Sequence, residues 1–420
     1  MSAFFKYQSI YSFCIAGAIG SFFVFNKTPD RATADSHHYN PKYITHRDKE
    51  RFSQQEDYLQ KARQIIEMGE SLIKASAPGG EKELFSSLLS YFSKARASLA
   101  KAHNTENFED FGKRRDLQGH SAHSLLLKDV YEECGTEVLS WMREGMQEMV
   151  QIEPSGKLKM IKESHVIKSQ FLGCESCLYF ELFTPSQVDT WNKFSRASNL
   201  DLYVPSDILQ KKERGESLSK KERRMFVQAQ KRIQALYPDY DEGHDMSFVL
   251  ELMDWESASQ IKASECYLIR ATSSLKMNGN IHFLTRYNAL LPATQEAPLE
   301  IMKKLGSVLL HQDVSLIQGT LDEVTSVFQR VMKWDGKDLS SLQDQMAVMT
   351  YLLVHNMRDI RGSAAENEWL VHAIYGALNV QISEDSNKLQ DLEAFGHPLL
   401  IDFVSAYKNM IKLEHKTTNL

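Results

Sequence analysis

The stretch His355–Tyr375, HNMRDIRGSAAENEWLVHAIY, gathers chemically active side chains around one glycine, Gly362. His355, Arg358 and Arg361 stand before it or at it, Asp359 lies among them, and Glu366 and Glu368 follow. A histidine beside an anion could act as acid or base, paired arginines could clamp a phosphoryl group, and carboxylates could orient both. On this reading the catalytic set is His355, Glu366 and Glu368, and the anion-binding set is Arg358, Arg361 and Arg286. Arg286 enters because it stands among apolar neighbours in RATSSLKMNGNIHFLTRYNALL, where a cation is out of pattern.

The same letters have a structural reading. SSLQDQMAVMTYLLVHNMRDI carries apolar residues at Leu342, Met346, Met349, Leu353, Met357 and Ile360, the spacing of a covered helix. Gly362 then serves as its C′ residue, and the arginines complement the negative end of the helix dipole. Ser363 and Glu366 form a capping box for the next helix, and Glu368 with His372 is an i,i+4 surface pair. His355 resists this account, because its stripe places it inside.

Elements on either side must position that joint. Helical spacing runs through EDYLQKARQIIEMGESLIKASA and GEKELFSSLLSYFSKARASLAKAHN, separated by the turn signal APGG. A third helix is read through AHSLLLKDVYEECGTEVLSWMREGMQEMV. The stretch from Gly156 to Phe183 alternates as a strand pair. Asn278-Gly279 between two extended runs marks a two-residue hairpin, whose register sets Ala271 opposite Arg286. Capping boxes are read at Thr184–Gln187, Ser219–Glu222, Thr320–Glu323 and Ser340–Gln343. From residue 296 onward the pattern reads as helix, ending on the stripe Leu399, Leu400, Phe403, Val404, Tyr407, Met410 and Ile411.

The expected fold is therefore mainly α with minor α+β character. A helical domain over 54–150 precedes a mixed region over 151–295 with a hairpin at 266–291, and a helical bundle fills 296–416. Residues 35–53 read as a linker. Before it, Ile10–Phe25 is uncharged and would span about 24 Å as a helix, short of a hydrocarbon core of about 30 Å. Ala32-Thr33-Ala34 follows with a cleavage pattern, so residues 1–34 read as a signal peptide or an N-terminal membrane anchor. Either places the body of the protein outside the compartment of synthesis, as a periplasmic, secreted or membrane-anchored chain.

Composition narrows the classes. Hydrophobic content of 42% and charged content of 25% in 420 residues describe an ordinary globular chain with a sizeable core. A net charge of −6 gives no general attraction to nucleic acid, so none is expected as a partner. Local exceptions are the basic stretch Asp207–Arg232 and the acidic DYDEGHD, which departs from a calcium loop at its glycine and its final glutamate. Cys174 and Cys177 form a C-x-x-C outside any redox context, read as a local disulfide or two free thiols. No P-loop, GxSxG, HExxH or dinucleotide fingerprint occurs, and neither a cofactor nor a metal is expected. The sequence leaves two functions open. One is an exported or tethered, effector-like bacterial interaction module whose partner is another protein. The other is an enzyme or phosphoryl-ligand binder centred on His355, Arg358, Arg361 and Arg286.

Overall fold

The computed structural model describes residues 52–105, 108–115, 124–127, 132–154, 158–188, 219–224, 266–292, 307–385 and 388–416. In chain order come α1 (Phe52–Lys74), α2 (Glu81–Ala102), β1 (Ser124–Leu127), α3 (Glu132–Gln147), β2 (Val150–Ile152) and β3 (Leu158–Met160). Next are β4 (Ser164–Phe171), β5 (Cys174–Phe183), β6 (Cys266–Met277), β7 (Asn280–Pro292) and β8 (Ser307–Leu310). The last part holds α4 (Ile317–Met332), α5 (Leu339–Asn356), α6 (Ser363–Ala377), β9 (Val380–Glu384), α7 (Gln390–Gly396), α8 (Leu400–Met410) and β10 (Ile411–His415). The expected N-terminal signal or anchor and most of the basic and acidic stretches lie outside the described residues. Among the described residues, no helix is long and apolar enough to cross a membrane.

The hairpin forms where the sequence placed it. Asn278 and Gly279 both take positive φ, 50° and 85°, as the two-residue turn demands, and Met277 pairs with Asn280. The expected register holds as far as Ser274 opposite Phe283. A bulge then intervenes, so Arg286 faces Thr272 rather than Ala271. An extra residue in one strand shifts every later pair by one, and nothing in the alternation announces it.

This hairpin is the centre of a six-stranded sheet in the order β1-β8-β7-β6-β5-β4, with every neighbouring pair antiparallel. That sheet overturns the expected fold class. The described residues are about 55% helical and 26% strand, so the protein is mixed α/β, not mainly α with minor β. The miss has a physical source. SLLL at 124–127 and SVLL at 307–310 are four-residue apolar runs that were read as helix, and periodicity cannot separate so short a buried strand from a helix segment. The C-terminal part is likewise interrupted by the β9–β10 pair, so residues after 296 are not helical throughout.

One face of the sheet packs on helices. Trp141 of α3 meets Phe180 and Tyr287 edge-on, at 6.1 and 4.9 Å between ring centres. From α5, Tyr351 reaches Ser273 and His355 reaches Thr285. On the far side of α5 and α6, Phe92 of α2 lies 6.5 Å from Trp369, and Phe85 lies 5.1 Å from Phe328 of α4. A single apolar cluster runs from Ala62 to Ile411, so helices near the N-terminus share a core with those near the C-terminus. Cys134, Cys174, Cys177 and Cys266 are buried free thiols, which settles Cys174 and Cys177 against a disulfide.

Capping followed local rules at two of the expected boxes. Thr184 and Gln187 exchange backbone and side-chain hydrogen bonds, as do Ser219 and Glu222. The others differ. Thr320 is inside α4, α5 is capped by Asp338 through the Ser341 N–H, and Ser363 makes no capping bond to α6.

Gly362 does not end α5. That helix stops at Asn356 because Met357 turns left-handed, with φ 36°. Gly362 instead precedes α6 with φ 99°. An added Cβ there would stand 2.7 Å from Arg96 Cγ and 3.1 Å from Glu366 Oε1. Left-handed strain at a non-glycine costs about 1–2 kcal/mol, and Arg96 is a flexible neighbour that can yield. Gly362→Ala is therefore expected to lose about that amount of stability in chemical denaturation. A midpoint equal to that of the parent protein would refute the assignment.

Candidate functional site

Between α5 and α6 the chain runs extended along residues 111–115. Arg115 N–H donates to the Arg358 carbonyl at 3.0 Å, Ile360 N–H to Lys113 at 2.8 Å, and Gly112 N–H to Arg361 at 3.0 Å. Short bridges join Phe111 to Arg361 and Arg114 to Asp359. These pairings satisfy backbone groups that would otherwise be orphaned inside the protein. They also take Arg358 and Arg361 out of the last turn of a helix, so the dipole does not explain either residue.

Arg358 is 3% exposed and is the cation of a buried polar hub. Its Nη2 donates to Glu366 Oε2 at 2.5 Å, to Ser93 Oγ at 2.8 Å and to the Leu89 carbonyl at 3.1 Å, while Nε donates to Asp359 Oδ2 at 3.0 Å. Ser363 Oγ accepts the Asp359 N–H at 3.0 Å. Burial works against the guanidinium charge, but Glu366 and Asp359 together hold its pKa above the ordinary value. The arginine faces two carboxylates, so full ionisation would leave a net negative charge in the interior.

Glu366 resolves that imbalance. Burial first, then the Asp359 carboxylate, push its pKa up to about 8 against the pull of Arg358. Near neutral pH Glu366 is thus protonated, which lessens the negative charge set against Arg358. The stability consequence has a definite sign. The unfolded carboxyl loses its proton near 4.5 and the folded one near 8, so stability from this group is complete below 4.5 and declines as pH rises towards 8. The slope in that window is up to about 1.4 kcal/mol per pH unit, one proton's worth. Glu366→Gln keeps the shape and removes the titration. Its stability measured by urea between pH 5 and 8 is expected to fall less steeply than that of the parent protein, and parallel profiles would refute the assignment.

The structure separates the other residues from this hub. His355 is fully buried, with Nδ1 2.7 Å from Thr285 Oγ1 and its ring between Tyr351 and Phe395. Burial drives its pKa down to about 3, against a favourable interaction with the Ala394 backbone, so it is neutral at physiological pH. Arg286 lies on the other face of the sheet. Tyr287 packs on Trp141 under the helices, and strand alternation turns its neighbour Arg286 the opposite way. Arg361 is half-buried, its guanidinium 5.2 Å from the centre of the Phe111 ring. Glu368, two positions beyond Glu366, is rotated about 200° around α6 and faces His372 and Glu384. Glu368 and His372 are thus largely covered, unlike the surface pair expected.

Two residues that matter here were invisible as a pattern. Ser93 joins the hub from 265 positions away. Arg115 is buried, with Nη2 donating to the Asn356 carbonyl at 2.7 Å while its Nε and Nη1 find no hydrogen-bond partner among the described residues. Burial lowers its pKa to about 10, opposed by Asp313 and Asp359. One of two adjacent arginines in KRRD, Arg115 gives no sequence signal for either property.

The part of the chain holding Arg286, His355, Arg358, Glu366 and Glu368 is also the part with a known likeness. Residues 285–414 match the AvrB_AvrC family, described as avirulence protein. The match covers about a third of the 420 residues, from within β7 to β10, and leaves out Ser93 and the 111–115 segment. It supports an effector-like, bacterial protein. No curated protein matches the chain.

Proposed function

We propose that this protein is an effector that leaves the bacterial cell producing it and acts by binding a protein of its host. The observation that carries the reading is the likeness of residues 285–414 to avirulence proteins. The geometry around Gly362 agrees with it. The residues whose types suggested catalysis are dispersed: His355 is buried under the sheet, Arg358 and Glu366 share a buried polar hub, Arg361 lies over Phe111, Glu368 faces His372 and Glu384, and Arg286 is on the opposite sheet face.

Binding surface is available at the free end of the hairpin. Ile281 and Phe283 are 54% and 50% exposed, and Leu172 at the neighbouring β4–β5 turn is 58% exposed. The hairpin tip is held rigid, since Glu323 of α4 accepts from Asn278 at 2.6 Å and from Asn280 at 3.3 Å. Rigid apolar side chains at a strand end suit protein recognition, because little conformational freedom is lost on binding. The test is affinity capture from host-cell extract with the parent protein and with an Ile281→Ser, Phe283→Ser variant. The expected result is one partner retained by the parent and lost by the variant at equal melting temperature. Equal recovery by both would move the interface elsewhere. Export is tested separately, by sequencing the N-terminus of protein recovered outside the cell; cleavage at the Ala-x-Ala pattern would leave Asp35 first.

One observation favours a second reading, anion binding. A buried guanidinium with two nitrogens unpartnered among the described residues, as at Arg115, is a natural seat for a phosphoryl group. This reading shifts the anion from the residues around Gly362 to the far side of the Asn356 carbonyl.

A further inference from the structure

Glu368 and His372 stand one turn apart on α6, and β9 brings Glu384 alongside them. One ligand atom from each lies within 4.8 Å of the other two. His372 Nε2 is 3.3 Å from Glu384 Oε1. In a tetrahedral site with metal–ligand bonds near 2.1 Å, neighbouring ligand atoms are about 3.4 Å apart, so this edge already has the required length.

A second observation points at the same place. Gln390, at the start of α7, is nine-tenths buried. Its Nε2 donates to Glu384 Oε1 at 3.2 Å, which fixes the amide against the cluster. Its Oε1, the other end of the same amide, has no hydrogen-bond partner among the described residues. Gln390 and Glu368 also line, with Asp391 and Lys388, a small neighbouring pocket whose wall does not include His372 or Glu384. Leaving a buried carbonyl oxygen unsatisfied costs about 1–3 kcal/mol, and a cation would remove that cost. Lys388 is the opposing charge, and its Nζ is engaged by Glu393 at 2.9 Å.

We infer that Glu368, His372 and Glu384 bind a first-row divalent cation, with the Gln390 amide oxygen as a fourth ligand. One imidazole nitrogen with carboxylate and amide oxygens suits zinc, cobalt or manganese. It does not suit calcium, which takes oxygen ligands alone, or magnesium, which retains water. The ion would tie α6, β9 and α7 together at the edge of the helical layer. The site is separate from the Arg358 hub, and its existence does not depend on the effector reading.

The test uses the full chain, freed of metal with chelator and titrated with zinc by calorimetry and with cobalt by visible absorption. The expected result is one ion per chain, with d–d absorption from the cobalt form. Affinity is expected to fall by at least about tenfold in His372→Ala and Glu384→Gln and to stay unchanged in His415→Ala, a histidine stacked on Trp334. If His372→Ala fails to fold, Glu384→Gln carries the comparison, since its amide still reaches His372 and Gln390. Absence of binding in the parent protein, or binding that survives both substitutions, would overturn the inference and leave a His372–Glu384 ion pair alone.

Discussion

Arg358→Ala is expected to lose about 3–5 kcal/mol of folding stability, enough to unfold much of the protein at 37 °C. The substitution removes the cation from two carboxyl groups that are 99% and 98% buried, and it takes one donor each from the Leu89 carbonyl and the Ser93 hydroxyl. An uncompensated buried charge is costly, whereas the paired hub is close to neutral in stability. The contrast with its neighbour makes the expectation specific. Arg361→Ala gives up a stacking contact with Phe111 and is expected to cost no more than about 1 kcal/mol. Removing the partners together with the cation should restore much of the loss, so Arg358→Met combined with Glu366→Leu and Asp359→Asn is expected to exceed Arg358→Ala in urea midpoint. A single substitution no more harmful than Arg361→Ala would mean that the hub does not form.

Gly112→Ala is the second large effect. Gly112 has φ 68°, and a Cβ there would lie 2.1 Å from the Ser93 carbonyl oxygen. The obstacle is helix backbone and cannot rotate away. Left-handed strain contributes about 1–2 kcal/mol, and forced displacement of packed structure contributes about 1–3 kcal/mol more. The displaced residue is also a member of the hub, so the two costs couple. A control isolates the strain. Gly279 has φ 85° with nothing within 4 Å of its missing Cβ, so Gly279→Ala is expected to lose the strain alone. Thermal unfolding of both variants checks this, and equal melting temperatures would contradict the packing of residues 111–115 on α2.

These expectations show what the sequence could and could not say. The hairpin was legible because Asn278-Gly279 is a local requirement: both residues must take positive φ, and those two types do so cheaply. The burial of His355 was legible from its stripe. The end of α5 was not, because Met357 adopts a left-handed conformation that its type disfavours, just before the residues that pair with 111–115. Glu366 sat in a perfect capping box, yet the pairing with Arg358 claimed it instead. The short strands at 124–127 and 307–310 carried no distinguishing period. The contacts of Arg358 with Ser93 and of Arg115 with Asn356 cross more than 200 positions, and no window on the sequence spans that distance.

The central claim is that the polar residues around Gly362 hold the fold, while function resides in a protein-binding surface. Its most direct test is the melting temperature of the parent protein in millimolar phosphate against chloride of equal ionic strength. A ligand that binds the folded state at 100 times its Kd would add about 2.7 kcal/mol, a rise of several degrees. The account expects no difference between the two salts. A rise in phosphate that vanishes in Arg361→Ala would contradict it by placing an anion at the joint, and a rise that vanishes only in Arg115→Gln would contradict it in favour of the pocket behind Asn356.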